Sequence, residues 1–149
     1  MDATARAHVD DLIAFVEASP SSYHAASEVA ARLLAAGFIA HEEREAWDAA
    51  PGGHFVVRDG AVVAWLVPAG RARGFRIVGA HTDSPGLKLK PRPTTGNTGW
   101  QQAAVEIYGG PLLNSWLDRE LRLAGRLVLR DGSSVLVATP GWLRIPQLA

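Results

Sequence analysis

Ile77-Val78-Gly79-Ala80-His81-Thr82-Asp83-Ser84-Pro85 is the stretch on which the reading of this chain turns. An apolar run narrows to Gly79 and Ala80 and then presents a histidine. In open α/β sheets the carboxyl ends of strands are where sites are built, so a strand over Phe75 to Ala80 would deliver His81 to such a rim. Residues two apart on an extended chain point the same way, which lets the Asp83 carboxylate orient the His81 ring, and a neutral imidazole held like this is a common zinc ligand. Pro85 fixes its own φ and donates no hydrogen bond, so the strand should be interrupted just after the site. The same residues also suit a hydrogen-bonded strand-end histidine followed by an ordinary Asp-Ser-Pro turn.

Outward from that stretch, the N-terminal side reads as helical. Val9, Leu12, Ile13 and Val16 follow i, i+3, i+4, i+7 spacing, predicting an amphipathic helix from about Ala5 to Ala18 that faces a core and is stopped by Pro20. Ser21 or Ser22 can cap a second helix with Ala26, Val29, Ala30, Leu33 and Leu34 inside, and Gly37 stands where a left-handed C-terminal cap belongs. After the acidic loop of Glu42, Glu43 and Glu45 the period shortens. His54 to Arg58 and Ala61 to Val67 form a hairpin about Asp59-Gly60, and a second Asp-Gly pair, Asp131-Gly132, joins Leu121 to Arg130 with Ser133 to Ala138. Leu87 and Leu89 alternate with Lys88 and Lys90, and Ala103 to Tyr108 reads as extended. Pro91 to Gly99, with two Pro and two Gly, has the composition of a domain junction.

Composition sets limits on function. The 149 residues carry 15 basic and 15 acidic side chains, five His and no Cys, with 48% hydrophobic content. That is a globular composition, and lacking cysteine removes disulfides, thiolate metal sites and cysteine nucleophiles. A formal charge of zero argues against general binding to nucleic acid or to an anionic membrane, both of which need a basic excess. The nearly apolar run Ala61 to Gly70 is too short to span a bilayer, and the early Asp2, Asp10 and Asp11 do not fit a signal or transit peptide, so a cytoplasmic address is expected.

Other chemistries lack their signatures. The chain has no G-x-x-x-x-G-K-[ST] loop, no G-x-G-x-x-G after a strand, no G-x-S-x-G elbow and no H-E-x-x-H pair. Lys88, Lys90 and Arg92 suit a solvated strand face better than a phosphate site. His8 and His24 fall on predicted helices, His41 lies in the acidic loop and His54 opens a hairpin, so none is an evident partner for His81. Zinc needs at least three protein ligands, and the residues themselves offer one.

Two long ordered strings carry a resemblance. His81-Thr82-Asp83-Ser84-Pro85-Gly86-Leu87-Lys88-Leu89-Lys90-Pro91 is followed by Tyr108-Gly109-Gly110-Pro111-Leu112-Leu113-Asn114-Ser115-Trp116-Leu117-Asp118-Arg119-Glu120-Leu121-Arg122-Leu123-Ala124-Gly125-Arg126, and the chain opens with a helix, Ala18-Ser19-Pro20, Tyr23-His24 and a second helix. Together these resemble the aspartyl aminopeptidase family of dinuclear zinc exopeptidases. The resemblance implies an α/β fold: helices plus the mixed sheet of a zinc-exopeptidase-like catalytic domain in residues 1–90, followed in residues 91–149 by the beginning of an inserted β-rich dimerisation domain. It assigns His81 to one of two zinc ions and Asp83 to steadying that histidine and assisting catalysis. The implied activity is removal of N-terminal residues, Asp or Glu by preference, from peptide substrates by a homo-oligomer. Family members are about three times as long, with the general-base glutamate and remaining ligands downstream, so the chain is expected to be an N-terminal fragment, inactive alone. The alternative is a non-catalytic assembly module that oligomerises through its strand-rich half.

Overall fold

The computed structural model describes residues 2–48 and 50–147. Its elements are α1 (Ala3–Ala18), α2 (Ser22–Ala35), β1 (Ile39–Ala40), β2 (Gly52–Arg58), β3 (Ala61–Val67), β4 (Gly86–Asn97), β5 (Trp100–Tyr108), β6 (Ala124–Val128) and β7 (Ser134–Ala138). The chain divides into two compact units, Met1–Asp83 with Leu123–Pro140, and Ser84–Arg122 with Gly141–Ala149.

In the first unit both helices begin and end on the residues that local chemistry favours. The Asp2 side chain accepts the Ala5 N–H at 2.9 Å and starts α1, and Ser21 caps α2 by accepting from the His24 N–H. Gly37, at φ 82°, closes α2: its N–H donates to the Leu34 carbonyl and the Phe38 N–H to that of Leu33, the paired bonds of a Schellman motif. Arg32 ties the helices together, its guanidinium donating to both Asp11 carboxylate oxygens at 2.9 Å and to Glu28 at 2.8 Å while lying over the Phe15 ring. Hydrogen bonds to Glu28 and then Asp11 raise the Arg32 pKa further above its ordinary value.

The sheet is mixed, as expected. β1 runs parallel to β2, and β2 pairs antiparallel with β3 in unbroken register from Gly52 opposite Val67 to Arg58 opposite Ala61. Asp59-Gly60 makes the turn, Asp59 taking φ 53°. β2 therefore has a neighbour on each side, and α2 packs on β2 and β3. The core is correspondingly local: Ala25 and Ala26 of α2 with His54, Phe55 and Val56 of β2 are buried. β6 and β7 form the second Asp-Gly hairpin. Its turn is held by Asp131, whose carboxylate accepts from both the hydroxyl and the N–H of Ser133 and has its pKa lowered by them, the hydroxyl first. Arg126 on β6 lies over the Tyr23 ring and donates to Asp59.

Two expectations are corrected, and a third stretch has more regular structure than its composition suggests. Phe75 to Ala80 does not form a strand; Phe75, Ile77 and Val78 are 94%, 89% and 96% exposed. Among the described residues no segment pairs with it, and strand composition without a ladder partner leaves the backbone to water. The stripe Val9, Leu12, Ile13 and Val16 of α1 is exposed, because α1 packs on α2 through the Arg32 side. Finally, Pro91 to Gly99 is the far half of β4 and its hairpin turn, with no loop before Thr98. The ladder to β5 breaks between Leu89 and Thr94, so Pro91 and Pro93 fall where no N–H is required of them.

In the second unit, β4 and β5 form a two-stranded hairpin turning at Thr98-Gly99, both at positive φ, 51° and 83°, as a type I′ turn needs. Beyond a 3-10 turn at Leu113–Trp116, the bridges Leu117 to Ile145 and Leu121 to Leu143 fasten the chain, and the Asp118 carboxylate accepts from the Gln147 N–H.

The Phe38 ring lies against Gly53, so a methyl group there would meet ring carbons at 2.6–2.7 Å. Gly53→Ala is expected to destabilise the first unit by about 1–3 kcal/mol, an overpacking cost, read as a lower denaturant midpoint than for the parent chain.

Candidate functional site

Without a strand behind it, His81 is positioned by side-chain hydrogen bonds. The Thr82 hydroxyl donates to the Gly60 carbonyl at 2.6 Å, tying the segment to the β2–β3 turn. One residue either side, His81 Nδ1 and Asp83 Oδ1 are 3.0 Å apart. An ionised carboxylate can only accept, so Nδ1 carries the proton and Nε2 keeps its lone pair. That is the tautomer a histidine needs to bind a metal through Nε2, with its carboxylate setting the ring orientation. The His81 side chain is 91% exposed and that of Asp83 39%, so water reaches the free nitrogen.

Zinc asks for more than this. Three protein ligands are the minimum, and among the described residues no group of three or more His, Asp or Glu side chains is placed to share an ion. His81 fits as a single ligand with its orienting carboxylate, and the remainder of a zinc site is not formed by the described residues. Three of the other four histidines are engaged elsewhere, and His8 lies on the exposed surface of α1. His24 Nδ1 is 2.8 Å from Ser21 Oγ at the start of α2, and His41 and His54 bond to one another at 2.8 Å. Lys90 pairs with Glu106 across the β4–β5 ladder, consistent with a solvated strand face.

The least anticipated feature is His54. It is fully buried, and with His41, Trp47 and Trp65 it forms a cluster of rings whose neighbouring centroids are 5.0–5.7 Å apart, stacked except for the His41–Trp47 pair, which is tilted at 40°. The sequence held one hint: His54 is in step with Val56 along β2, on the face that pairs with Trp65.

A histidine whose Nδ1 is held by a carboxylate two residues on has the orientation commonly given to metal-ligating imidazoles, here beside a mixed sheet in an α/β chain. The family model described as aminopeptidase I zinc metalloprotease (M18) matches residues 15–149. A probable M18 family aminopeptidase 2 of Streptomyces coelicolor is 62% identical over 147 residues, covering 97% of this chain and 34% of the relative. The crystal structure of an M18 aminopeptidase from Thermotoga maritima superposes with a TM-score of 0.86 at 25% identity, over 100% of this chain and 34% of that one. A dodecamer of mApe1 from S. cerevisiae gives 0.79 at 30% identity, over 93% and 35% of the two chains. The chain thus belongs to the M18 family of zinc metalloprotease aminopeptidases. It spans about a third of the length of the relatives it matches. Among the described residues no helix is long and apolar enough to cross a membrane.

A one-ligand arrangement predicts weak metal binding. Calorimetric titration of the 149-residue chain with zinc is expected to give no site tighter than about 10 μM, and His81→Ala should leave the isotherm unchanged.

Proposed function

We propose that these residues are the N-terminal part of a zinc-dependent aminopeptidase that hydrolyses N-terminal Asp or Glu residues from peptides, with His81 as a ligand to one of two zinc ions and Asp83 as the residue that braces it and assists catalysis. The observation that carries this reading is the His81 Nδ1–H···Asp83 Oδ1 bond, which leaves Nε2 available, in a chain that belongs to the M18 family. When bound, zinc supplies a Lewis acid for the scissile carbonyl and brings the pKa of a coordinated water toward about 7. The part played by this chain is orientation. Asp83 fixes the imidazole tautomer and Thr82 anchors the segment to the β2–β3 turn. The partition we propose assigns residues 1–90 to the catalytic domain and 91–149 to the inserted dimerisation domain, in a cytoplasmic enzyme that acts as a homo-oligomer. The dodecamer of mApe1 supports self-association of the whole enzyme.

A second reading has its own support. In the β4–β5 hairpin Leu89, Trp100, Val105, Ile107 and Tyr108 are exposed, which suits a non-catalytic module that associates through its strands. Sedimentation separates the two: a clean monomer at micromolar concentration counts against the assembly module.

Activity tests the first reading directly. The 149-residue chain should release nothing above background from an N-terminal aspartyl substrate, and turnover that His81→Ala abolishes would overturn the view that it lacks a complete site. In a full-length enzyme carrying this segment, Asp83→Asn is expected to lower kcat/KM or zinc affinity by about 10- to 100-fold, the usual effect of removing a ligand's orienting partner, and His81→Ala should lower it further.

A further inference from the structure

The β2–β3 turn is gripped from two sides where Thr82 reaches it. On one side is the first turn of α2, where Ser22 bounds the space at Gly60. On the other is Arg126, whose Nη1 donates to Asp59 Oδ1 while its guanidinium carbon lies 4.6 Å from the centroid of the Tyr23 ring, next to Ser22 on the same helix. A planar cation held at its edge by a carboxylate and on its face by an aromatic ring keeps little freedom. Arg126 is itself fixed at the middle of the β6–β7 register, opposite Leu136, in the same compact unit as Met1–Asp83. Asp59 has use for such a partner. It stands at φ 53°, in the left-handed region that a residue with a Cβ adopts at a cost. Beside it, Gly60 leaves the direction of its own carbonyl to its surroundings, and that carbonyl accepts the Thr82 hydroxyl.

We propose, on the reading that His81 is a zinc ligand, that Arg126 is a positioning residue for it, acting through Asp59, Gly60 and Thr82. Asp83 and Arg126 then have separate tasks. Asp83 sets the rotation and tautomer of the His81 ring, whereas Arg126 sets where the backbone that carries both residues lies. That backbone needs an external hold, because residues 75–80 pair with no strand among the described residues and the Thr82 hydroxyl ties the segment to the sheet. Without Arg126 the Asp59 carboxylate loses its cation, the turn relaxes about Gly60, and the carbonyl that Thr82 follows moves. A reacting geometry displaced by about 1 Å from afar costs on the order of 100-fold. Two flexible links separate Arg126 from the imidazole, so the expected loss is smaller, about 3- to 10-fold, below the roughly 10- to 100-fold that follows removal of a ligand's direct partner.

NMR spectra of the 149-residue chain and the zinc affinity of a full-length enzyme carrying this segment test the two halves of this inference. In the chain, Arg126→Ala and Thr82→Val should each move the amide signals of residues 81–83, and the double variant should move them no further than the larger single change. The His81 ring should remain the Nδ1–H tautomer in all three, since Asp83 is untouched. In the full-length enzyme Arg126→Ala should weaken zinc binding about 3- to 10-fold. Arg126→Lys, which keeps the charge without the planar grip, should fall between it and the parent. Thr82→Ser should recover the affinity lost in Thr82→Val. Signals of residues 81–83 unmoved by Arg126→Ala would overturn the inference. An equal loss of zinc affinity in Gly53→Ala, which disturbs the same unit but spares these contacts, would also overturn it, leaving Arg126 a purely structural role. If Arg126→Ala does not fold, Thr82→Val decides, and unchanged zinc affinity in that variant overturns the route through Thr82. Zinc binding that His81→Ala leaves intact would instead overturn the ligand reading itself, and the inference with it, whatever the amide signals do.

Discussion

A β-strand exists only while its backbone groups have neighbours, and in the first unit β2 is the strand with a neighbour on each side. The rest of that unit is arranged around this. β1 and β3 satisfy the two edges of β2, α2 covers it, and three consecutive β2 residues, His54, Phe55 and Val56, are buried. Gly53 lets the Phe38 ring close over the strand just after the Schellman turn at Gly37, so the end of α2 and the start of β1 are set by one glycine and one aromatic ring. Phe75 to Ala80 shows the opposite case. Apart from Arg76 its residues are apolar, yet nothing among the described residues pairs with it.

That contrast explains which features were legible in the amino-acid sequence. Signals whose cause lies within a few residues were readable: the caps at Ser21 and Gly37, the stop at Pro20, and the Asp59-Gly60 and Asp131-Gly132 turns. Features that depend on a distant partner were not. The α1 stripe has helical spacing, but burial of Val9, Leu12, Ile13 and Val16 requires a surface opposite them. Pro91 and Pro93 look like a linker until the break in the β4–β5 ladder shows that no hydrogen bond was needed from them. His54 read as a strand-start histidine because its polarity outweighed its phase, although a buried ring with both nitrogens bonded is as admissible in a core as an apolar side chain.

The candidate site was legible in another sense. The triplet His81-Thr82-Asp83 determines its own local geometry, because a histidine and a carboxylate two apart can bond whether or not a strand lies behind them, and they do so at 3.0 Å. What the triplet cannot specify is the hole into which the free nitrogen points. That requires further ligands, and the match to relatives about three times as long indicates the scale of chain over which M18 enzymes are built.

The β2–β3 turn then acquires a role beyond reversing the chain. Gly60 accepts the Thr82 hydroxyl that anchors the candidate site, and Asp59 accepts the Arg126 guanidinium that brings in the β6–β7 hairpin. Space at Gly60 is bounded by Ser22, whose Oγ would lie 2.7 Å from any Cβ added there. Three separate segments therefore converge on two residues, and the same hairpin carries His54 and Trp65 a few positions away. A side chain larger than hydrogen at position 60 would press on the start of α2 while shifting the carbonyl that holds Thr82. The segment that carries His81 is thus tied to the same turn that α2 packs against, while the ring itself is oriented by Asp83.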